Sequence, residues 1–251
     1  MLPGEIRRFP FLKNTAVLLA AGSGSRMKSD VKKQYMLLLG NPVITYSLKV
    51  FQESFIDEVI LVCSPGDEEY CKAGIVEKYG FDKVRSVIPG GKERYHSVYN
   101  GIQKACERGA DHIYIHDGAR AFLTQDILER CREGVRETGA CVAGVPSKDT
   151  IKLSDGGAYV KKTLDRSLLW NVQTPQVFKS DLIKSCYEKL LAAQTELQEK
   201  GISITDDTFA VEYFTDVKVK LVEGSYENIK ITTPEDLILG EYLLGRREAD
   251  R

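Results

Sequence analysis

TAVLLAAGSGSRMKSDVKKQY, residues 15–35, opens with an apolar run from Ala16 to Ala21 and breaks at Gly22-Ser23-Gly24-Ser25. The run has the length and Val/Leu content of a strand buried on both faces. The two glycines let the backbone turn sharply and bring its N–H groups close to a ligand. Arg26, Lys28, Lys32 and Lys33 follow within a few residues. Cations facing a cradle of amides predict a ligand with several negative charges, such as a nucleoside triphosphate. A tight strand-to-helix turn with no ligand is the competing reading. The dinucleotide fingerprint is disfavoured, because it needs a third glycine where Met27 stands. The Walker loop, which closes on Gly-Lys-Ser/Thr, is absent. What remains is GxGxRM followed by KKQY.

Working outward, strands and helices alternate. Asn41-Pro42 predicts a helix start, with apolar residues at helical spacing to about Phe55. Glu58–Cys63 reads as a strand, and Ser64-Pro65-Gly66-Asp67 turns the chain into a helix reaching Tyr79. Val84–Ile88 is the third strand and about 94–108 the next helix. Asp111–His116 is the fourth strand, Thr124 caps a helix, and Cys141–Val145 is the fifth strand. This rhythm predicts an α/β fold with a doubly wound, mostly parallel sheet. From Pro146 the rhythm breaks. Lys148–Leu153, the turn SDGG and Tyr159–Leu164 predict a β-hairpin arm over about 148–166. Trp170–Phe178 returns to the sheet, a helix runs over about 179–199, and Lys218–Val222 is a further strand. Asn228–Thr232 is extended, and Thr233-Pro234 starts a C-terminal helix. We expect one domain, 14–246, preceded by a loose extension, 1–13.

Composition narrows the classes. The chain has 251 residues and a formal charge of −1, so no global field draws it to nucleic acid or to an anionic membrane. No apolar stretch reaches spanning length. Six cysteines and three histidines lack the spacing of a zinc site or a disulfide scaffold, which points to reduced thiols in a cytoplasmic protein.

In an open parallel sheet, ligands bind beyond the carboxyl ends of the strands. Four polar clusters fall there: the glycine loop, GGKERYHS (90–97), HDGAR (116–120) and KDT (148–150). Each alone could be a turn, a cap or a solvated helical start. Four at one sheet edge predict a site.

AAGSGSRM, KKQY, GGKERYHSV, IHDGAR, KDTIK, LDR, LWNVQTPQVF, TDDTFAVE and ENIKITTPEDL follow in this order. Together they resemble the 2-C-methyl-D-erythritol 4-phosphate cytidylyltransferase family over about Thr15 to Leu244. Ribitol-5-phosphate cytidylyltransferases share most of them and are the alternative, although LDR-x3-W-x2-QTPQVF and TDDTFAVE are closer to the first family. The resemblance implies a nucleotide-diphospho-sugar transferase-like variant of the Rossmann fold, with the arm as a dimerisation element. It implies attack of a phosphate monoester on the α-phosphate of CTP, with Mg²⁺ as cofactor. A non-catalytic nucleotide sensor is disfavoured by the retention of Arg26, Lys33 and Lys230 together.

By the same resemblance, Arg26, Lys33, Arg166 and Lys230 are catalytic. Ala20, Ala21, Gly22, Gly24, Gly91, Arg94 and Ser97 line the CTP site. Asp117, Arg120, Thr150, Arg166, Thr174 and Lys230 surround the sugar phosphate, and Asp117 also lies near the metal. The bland readings are a solvated Arg166, an extended Thr174 before Pro175 and an edge-strand charge at Lys230. The chain departs from the family twice. Lys32 replaces the usual Pro, which would change how Lys33 is presented. HDGARA replaces HDAARP, with Gly118 and Ala121 implying a looser loop after Asp117.

Overall fold

The computed structural model describes residues 12–22, 27 and 31–249. The predicted extension therefore lies outside the described residues up to 11, as do Gly24 and Arg26. In chain order, β1 (Asn14–Ala20) leads to a 3₁₀ turn (Lys33–Tyr35), β2 (Leu37–Leu38), β3 (Asn41–Pro42) and α1 (Val43–Gln52). Then come β4 (Glu58–Cys63), a π-wound segment (Tyr70–Glu77), β5 (Val84–Pro89), α2 (Arg94–Glu107), β6 (His112–Asp117), α3 (Gln125–Thr138) and β7 (Ala140–Pro146). The hairpin β8 (Lys152–Ser154) and β9 (Val160–Thr163) is followed by a 3₁₀ turn (Arg166–Leu168) and β10 (Trp170–Lys179). The chain ends with α4 (Ser180–Ala192), α5 (Gln194–Glu199), α6 (Thr208–Phe214), β11 (Lys220–Glu223) and α7 (Pro234–Ala249).

Seven strands form one sheet in the order β11-β7-β10-β6-β1-β4-β5. β10 runs antiparallel to β6 and β7, and the other neighbours pair parallel. The expectation of a mostly parallel α/β sheet holds. The reversed strand has a consequence for the site. Trp170 pairs with Pro146 and Asn171 with Val145, so β10 begins at the carboxyl edge of its neighbours. It therefore delivers Gln173 and Thr174 to that edge from its amino-terminal half.

Alternation along the central strands builds a core on each face. Ala16, Leu18, Val59, Leu61 and Tyr114 meet α1, the π-wound segment and α3 on one face. Val17, Ile60, Val62, Ile113 and Ile115 meet α2, α4 and α6 on the other. A smaller cluster of Leu38, Val43, Phe122, Ile231 and Leu243 docks α7 beside the HDGAR loop.

Several boundaries differ from expectation. Asn41-Pro42 pairs with Leu37-Leu38 as a short ladder, and the helix starts one residue later, because Pro42 has extended ψ. The long helix over 179–199 breaks at Ala193. α6 was expected as no element; TFAVEYF is too short and too rich in β-branched and aromatic residues to read as helix. The arm is an exposed antiparallel hairpin, as expected.

Candidate active site

The site lies at the carboxyl edge of β1, β4, β5 and β6, where two cavities share a wall. The first, about 320 Å³, is lined among others by Ala21, Gly22, Lys33, Gly91, Ser97 and Asp117. The second, about 480 Å³, is lined among others by Arg120, Gln173, Thr174, Gln176 and Thr208. Arg94, Asp117 and Lys230 line both.

The first cavity's walls are set by backbone approach. The loop after β5 comes so close to the glycine loop that a Cβ on Gly90 would lie 2.6 Å from both the Ala21 Cβ and the Ser97 Oγ. Only glycine fits there. Ser97 Oγ accepts the Gly91 N–H at 3.0 Å, tying the loop to the first turn of α2. Glu93 caps that helix, with its own N–H donated to His96 Nδ1 at 3.2 Å. Across the cavity, Gln34 donates to the carbonyl oxygens of Ala20 at 2.5 Å and Gly22 at 3.2 Å. That buried amide pins the 3₁₀ turn carrying Lys33 against the end of β1. Lys32, the first departure from the family, has φ −62°, the value proline imposes. Its Nζ pairs with Asp67 at 2.5 Å, so the turn that presents Lys33 keeps a proline-like shape.

Asp117 ends β6, and charge converges on it. Lys230 Nζ stands 2.7 Å from Oδ2, Arg94 Nη2 3.5 Å from Oδ1 and Arg120 Nε 4.0 Å from Oδ2. Burial alone would raise this carboxyl, but Arg94, Lys230 and Arg120 outweigh it and hold it well below the usual carboxylate range. The Arg120 side chain is only 12% exposed, and burial lowers its guanidinium against the opposing pull of Asp117. Its Nη1 donates to the Asn228 carbonyl at 2.6 Å, while Nε has no hydrogen-bond partner. The loop after Asp117 is tighter than the departure to HDGARA implied. Gly118 N–H donates to the Leu19 carbonyl at 2.8 Å, and a Cβ on Gly118 would lie 2.8 Å from that same oxygen. Glycine here lets the loop lie on β1, and Ala121 is buried beneath it.

Behind Asp117 is a polar relay that sequence reasoning missed. His116 Nε2 lies 3.3 Å from the Arg120 carbonyl, which can only accept, so Nε2 carries the hydrogen. Nδ1 then accepts from Thr174 Oγ1 at 3.0 Å, and Thr174 Oγ1 accepts the Asp117 N–H at 3.1 Å. The Thr174 hydroxyl, expected on the sugar phosphate, is thus committed to holding Asp117. Its role follows from the reversed strand, which no periodicity reveals.

Burial pushes the His116 imidazole down to about 4. The unfolded chain therefore takes up a proton near pH 6.5 that the native chain refuses until about 4. Stability is complete above 6.5 and falls as pH drops through this window. His112, lowered by burial, acts in the same sense. The expected loss from His116 between pH 7 and 5 is about 2 kcal/mol. Urea unfolding at both pH values should show it, with a smaller loss in His116→Gln. An unchanged pH slope in that variant would mean His116 is not buried neutral.

Asp207 is the second residue that sequence reasoning missed. It is fully buried and accepts from Arg94 Nη1 at 2.7 Å and Nη2 at 2.8 Å. Thr150 and Arg166, both exposed on the arm, are not among the residues lining either cavity. Arg166 Nη1 instead donates to the Lys148 carbonyl at 3.1 Å. Among the described residues no group of three or more His, Cys, Asp and Glu is placed to hold a metal, and no helix is long and apolar enough to cross a membrane.

A family model described as "IspD: 2-C-methyl-D-erythritol 4-phosphate cytidylyltransferase" matches residues 14–246. A protein of that name from Lachnospira eligens is 49% identical over 234 residues, covering 92% of this chain and 100% of its own. Another from Alkaliphilus oremlandii is 45% identical over 240 residues, covering 95% and 98%. Among solved structures, 4-diphosphocytidyl-2C-methyl-D-erythritol synthase from Anaerococcus prevotii superposes with a TM-score of 0.81 at 35% identity, covering 93% of this chain and 96% of that one. The Thermus thermophilus cytidylyltransferase gives a TM-score of 0.70 at 28% identity, covering 91% and 97%.

Proposed function

The chain belongs to the 2-C-methyl-D-erythritol 4-phosphate cytidylyltransferase family, and from that premise we propose how its residues perform the reaction. The enzyme transfers a cytidylyl group from CTP to 2-C-methyl-D-erythritol 4-phosphate, in isoprenoid biosynthesis. A phosphate oxygen of the sugar phosphate attacks the α-phosphorus of CTP. The bond from that phosphorus to the α–β bridging oxygen breaks, and pyrophosphate leaves. The attacking oxygen is already ionised at neutral pH, so the protein needs no strong base. Its work is positioning and neutralisation of charge.

The observation that carries this reading is the shared wall. Asp117, Arg94 and Lys230 line both cavities. The nucleotide fits the cavity floored by the glycine loop, and the sugar phosphate fits the one floored by Gln173 and Thr174. Lys33 faces the triphosphate, and Lys230 reaches the attacking phosphate. The donor set does not form a metal cage, because both Asp117 oxygens already face cations. A Mg²⁺ ion would instead come with the triphosphate, and Asp117 is the carboxylate of this wall that would help to hold it. The ion would supply charge neutralisation on the phosphate oxygens. Pyrophosphate release tests the reading. It should be fast with CTP and methylerythritol phosphate, slow with ribitol 5-phosphate, slow with UTP, ATP or GTP, and abolished by chelation. Equal turnover of ATP would sink the cytidylyl assignment, and preference for ribitol 5-phosphate would favour the alternative family.

The arm supports a homodimer. Tyr159 is 78% and Val160 62% exposed, on a hairpin too small to bury them, and Leu168 in the turn that follows is 77% exposed. Its root is fixed: Ser147 N–H donates to the Leu169 carbonyl, and Lys148 sits over the Tyr226 ring. A second copy packed on a two-fold axis would cover the tip reciprocally. Thr150 and Arg166 would then complete the sugar-phosphate site of the other subunit. Light scattering should give about twice the chain mass. Mixing inactive Lys33→Ala with inactive Arg166→Ala should restore activity, since one site in each mixed dimer is intact. A dimer that exchanges subunits yet recovers nothing would place Arg166 in its own chain's site. The buried, unpaired cysteines fit a cytoplasmic setting.

A further inference from the structure

Arg94 stands between the two cavities, and what holds it there comes from far along the chain. Its Nη1 and Nη2 meet the two oxygens of Asp207, 113 residues away, in a parallel fork. Asp207 is itself held from behind. Tyr187 of α4 donates its hydroxyl to Asp207 Oδ1 at 2.5 Å. Gln176 of β10 accepts the N–H groups of Asp207 at 2.8 Å and Thr208 at 3.1 Å, and donates to Asp206 Oδ2 at 3.0 Å. Asp207 and Tyr187 are fully buried, whereas the Arg94 side chain keeps 35% of its surface exposed.

The physics of this arrangement is directional. A lone buried carboxylate is unstable without compensating donors, and here those donors are one guanidinium and one phenol. A fork-to-fork pair fixes the plane of the guanidinium, not only its charge. Burial would lower Arg94, but Asp207 and Asp117 outweigh it and hold the guanidinium firmly charged. The rigid side of Arg94 is thus spent on Asp207, while Nη2 also lies 3.5 Å from Asp117 Oδ1 and the residue lines both cavities.

We propose that Asp207, backed by Tyr187, is a positioning residue for cytidylyl transfer, fixing the Arg94 guanidinium where the triphosphate and the attacking phosphate must align. It touches neither substrate and acts only through Arg94. The proposal rests on reading Arg94 as a nucleotide-site residue, which Arg94→Ala examines separately.

The test is a mutant cycle in steady-state kinetics. Asp207→Asn keeps the shape and the acceptor for Tyr187 but ends the symmetric fork. It should lower kcat by about 10–100-fold with a smaller change in either KM, because misplacement of a transition-state donor acts on kcat. Arg94→Lys keeps the charge without the fork and should match it. Tyr187→Phe should shift kcat in the same direction by less. In an Arg94→Ala background, Asp207→Asn should cost nothing further, because its route of action is gone. A structural role alone would lower the unfolding midpoint and leave kcat of the folded fraction intact. Wild-type kcat in folded Asp207→Asn, or independent losses that multiply in the double variant, would overturn the proposal. Should Asp207→Asn fail to fold by circular dichroism, wild-type kcat in both Tyr187→Phe and Arg94→Lys would overturn it. If Arg94→Ala alone keeps wild-type kcat and KM, the premise falls and the proposal with it.

Discussion

Arg26→Ala and Lys33→Ala should each lower kcat by about 10²–10³-fold, the cost of one electrostatic donor lost from a transition state, while raising KM for CTP far less. Negative charge builds on the α-phosphate oxygens and the leaving pyrophosphate as the bond breaks, so a cation beside them gains strength in the transition state. Lys33 is well placed for this. It lines the first cavity, on a turn that Gln34 ties to Ala20 and Gly22, and that the Lys32–Asp67 pair ties to the loop after β4. A donor held on such a turn needs little reorganisation when the reaction proceeds. Arg26 lies outside the described residues, and its expected role rests on the GxGxRM motif. Steady-state kinetics separate the outcomes. Near-normal kcat with a raised KM would show that these cations hold only ground-state CTP.

Much of this fold was legible because its strands are buried on both faces. EVILVC is a near-continuous apolar run and DHIYIH has an apolar centre, both bounded by turn residues, and they stand within a residue of β4 and β6. What periodicity cannot encode is direction. Nothing in WNVQTPQVF says that β10 runs against its neighbours, yet that reversal brings Gln173, Thr174 and Gln176 to the site. The same limit hid Asp207. TDDTFAVE stood out as a string, but the partner that gives Asp207 meaning lies 113 residues earlier. Gln34 lies within KKQY, where the charge of its neighbour Lys33 is the stronger signal. The signal was there in principle: a polar residue between Lys33 and an aromatic, in a turn too short to be a surface loop. His116 was read as a strand end because a single histidine after an apolar run is silent about its tautomer. Departures from a family pattern were visible as well, but not their effect. Gly118 tightens the loop where a missing Ala and Pro implied slack.

Lys230→Met should cost as much as the loss of Lys33, about 10²–10³-fold in kcat, for a different reason. Lys230 lines both cavities and is the nearest cation to Asp117, at 2.7 Å. In the attacking half of the reaction it would hold the phosphate oxygen that approaches the α-phosphorus. In the resting protein it shares Asp117 with Arg94 and Arg120, so three cations are arranged around one carboxylate. Removing the lysine leaves that carboxylate two partners, and the fold should survive. Removing the carboxylate instead, in Asp117→Ala, leaves three cations facing one another, with only Asp207 to oppose Arg94. That variant should lose roughly 3–5 kcal/mol of stability as well as activity, the cost of breaking a buried charge cluster from one side. The pair of measurements discriminates. If Lys230 acts on substrate, Lys230→Met stays folded, loses kcat and raises KM for the sugar phosphate more than for CTP. If Lys230 merely neutralises Asp117, the double variant Lys230→Met/Asp117→Asn should regain activity over Lys230→Met alone, because the stranded negative charge is gone. Such a rescue would move Lys230 from the reaction to the scaffold.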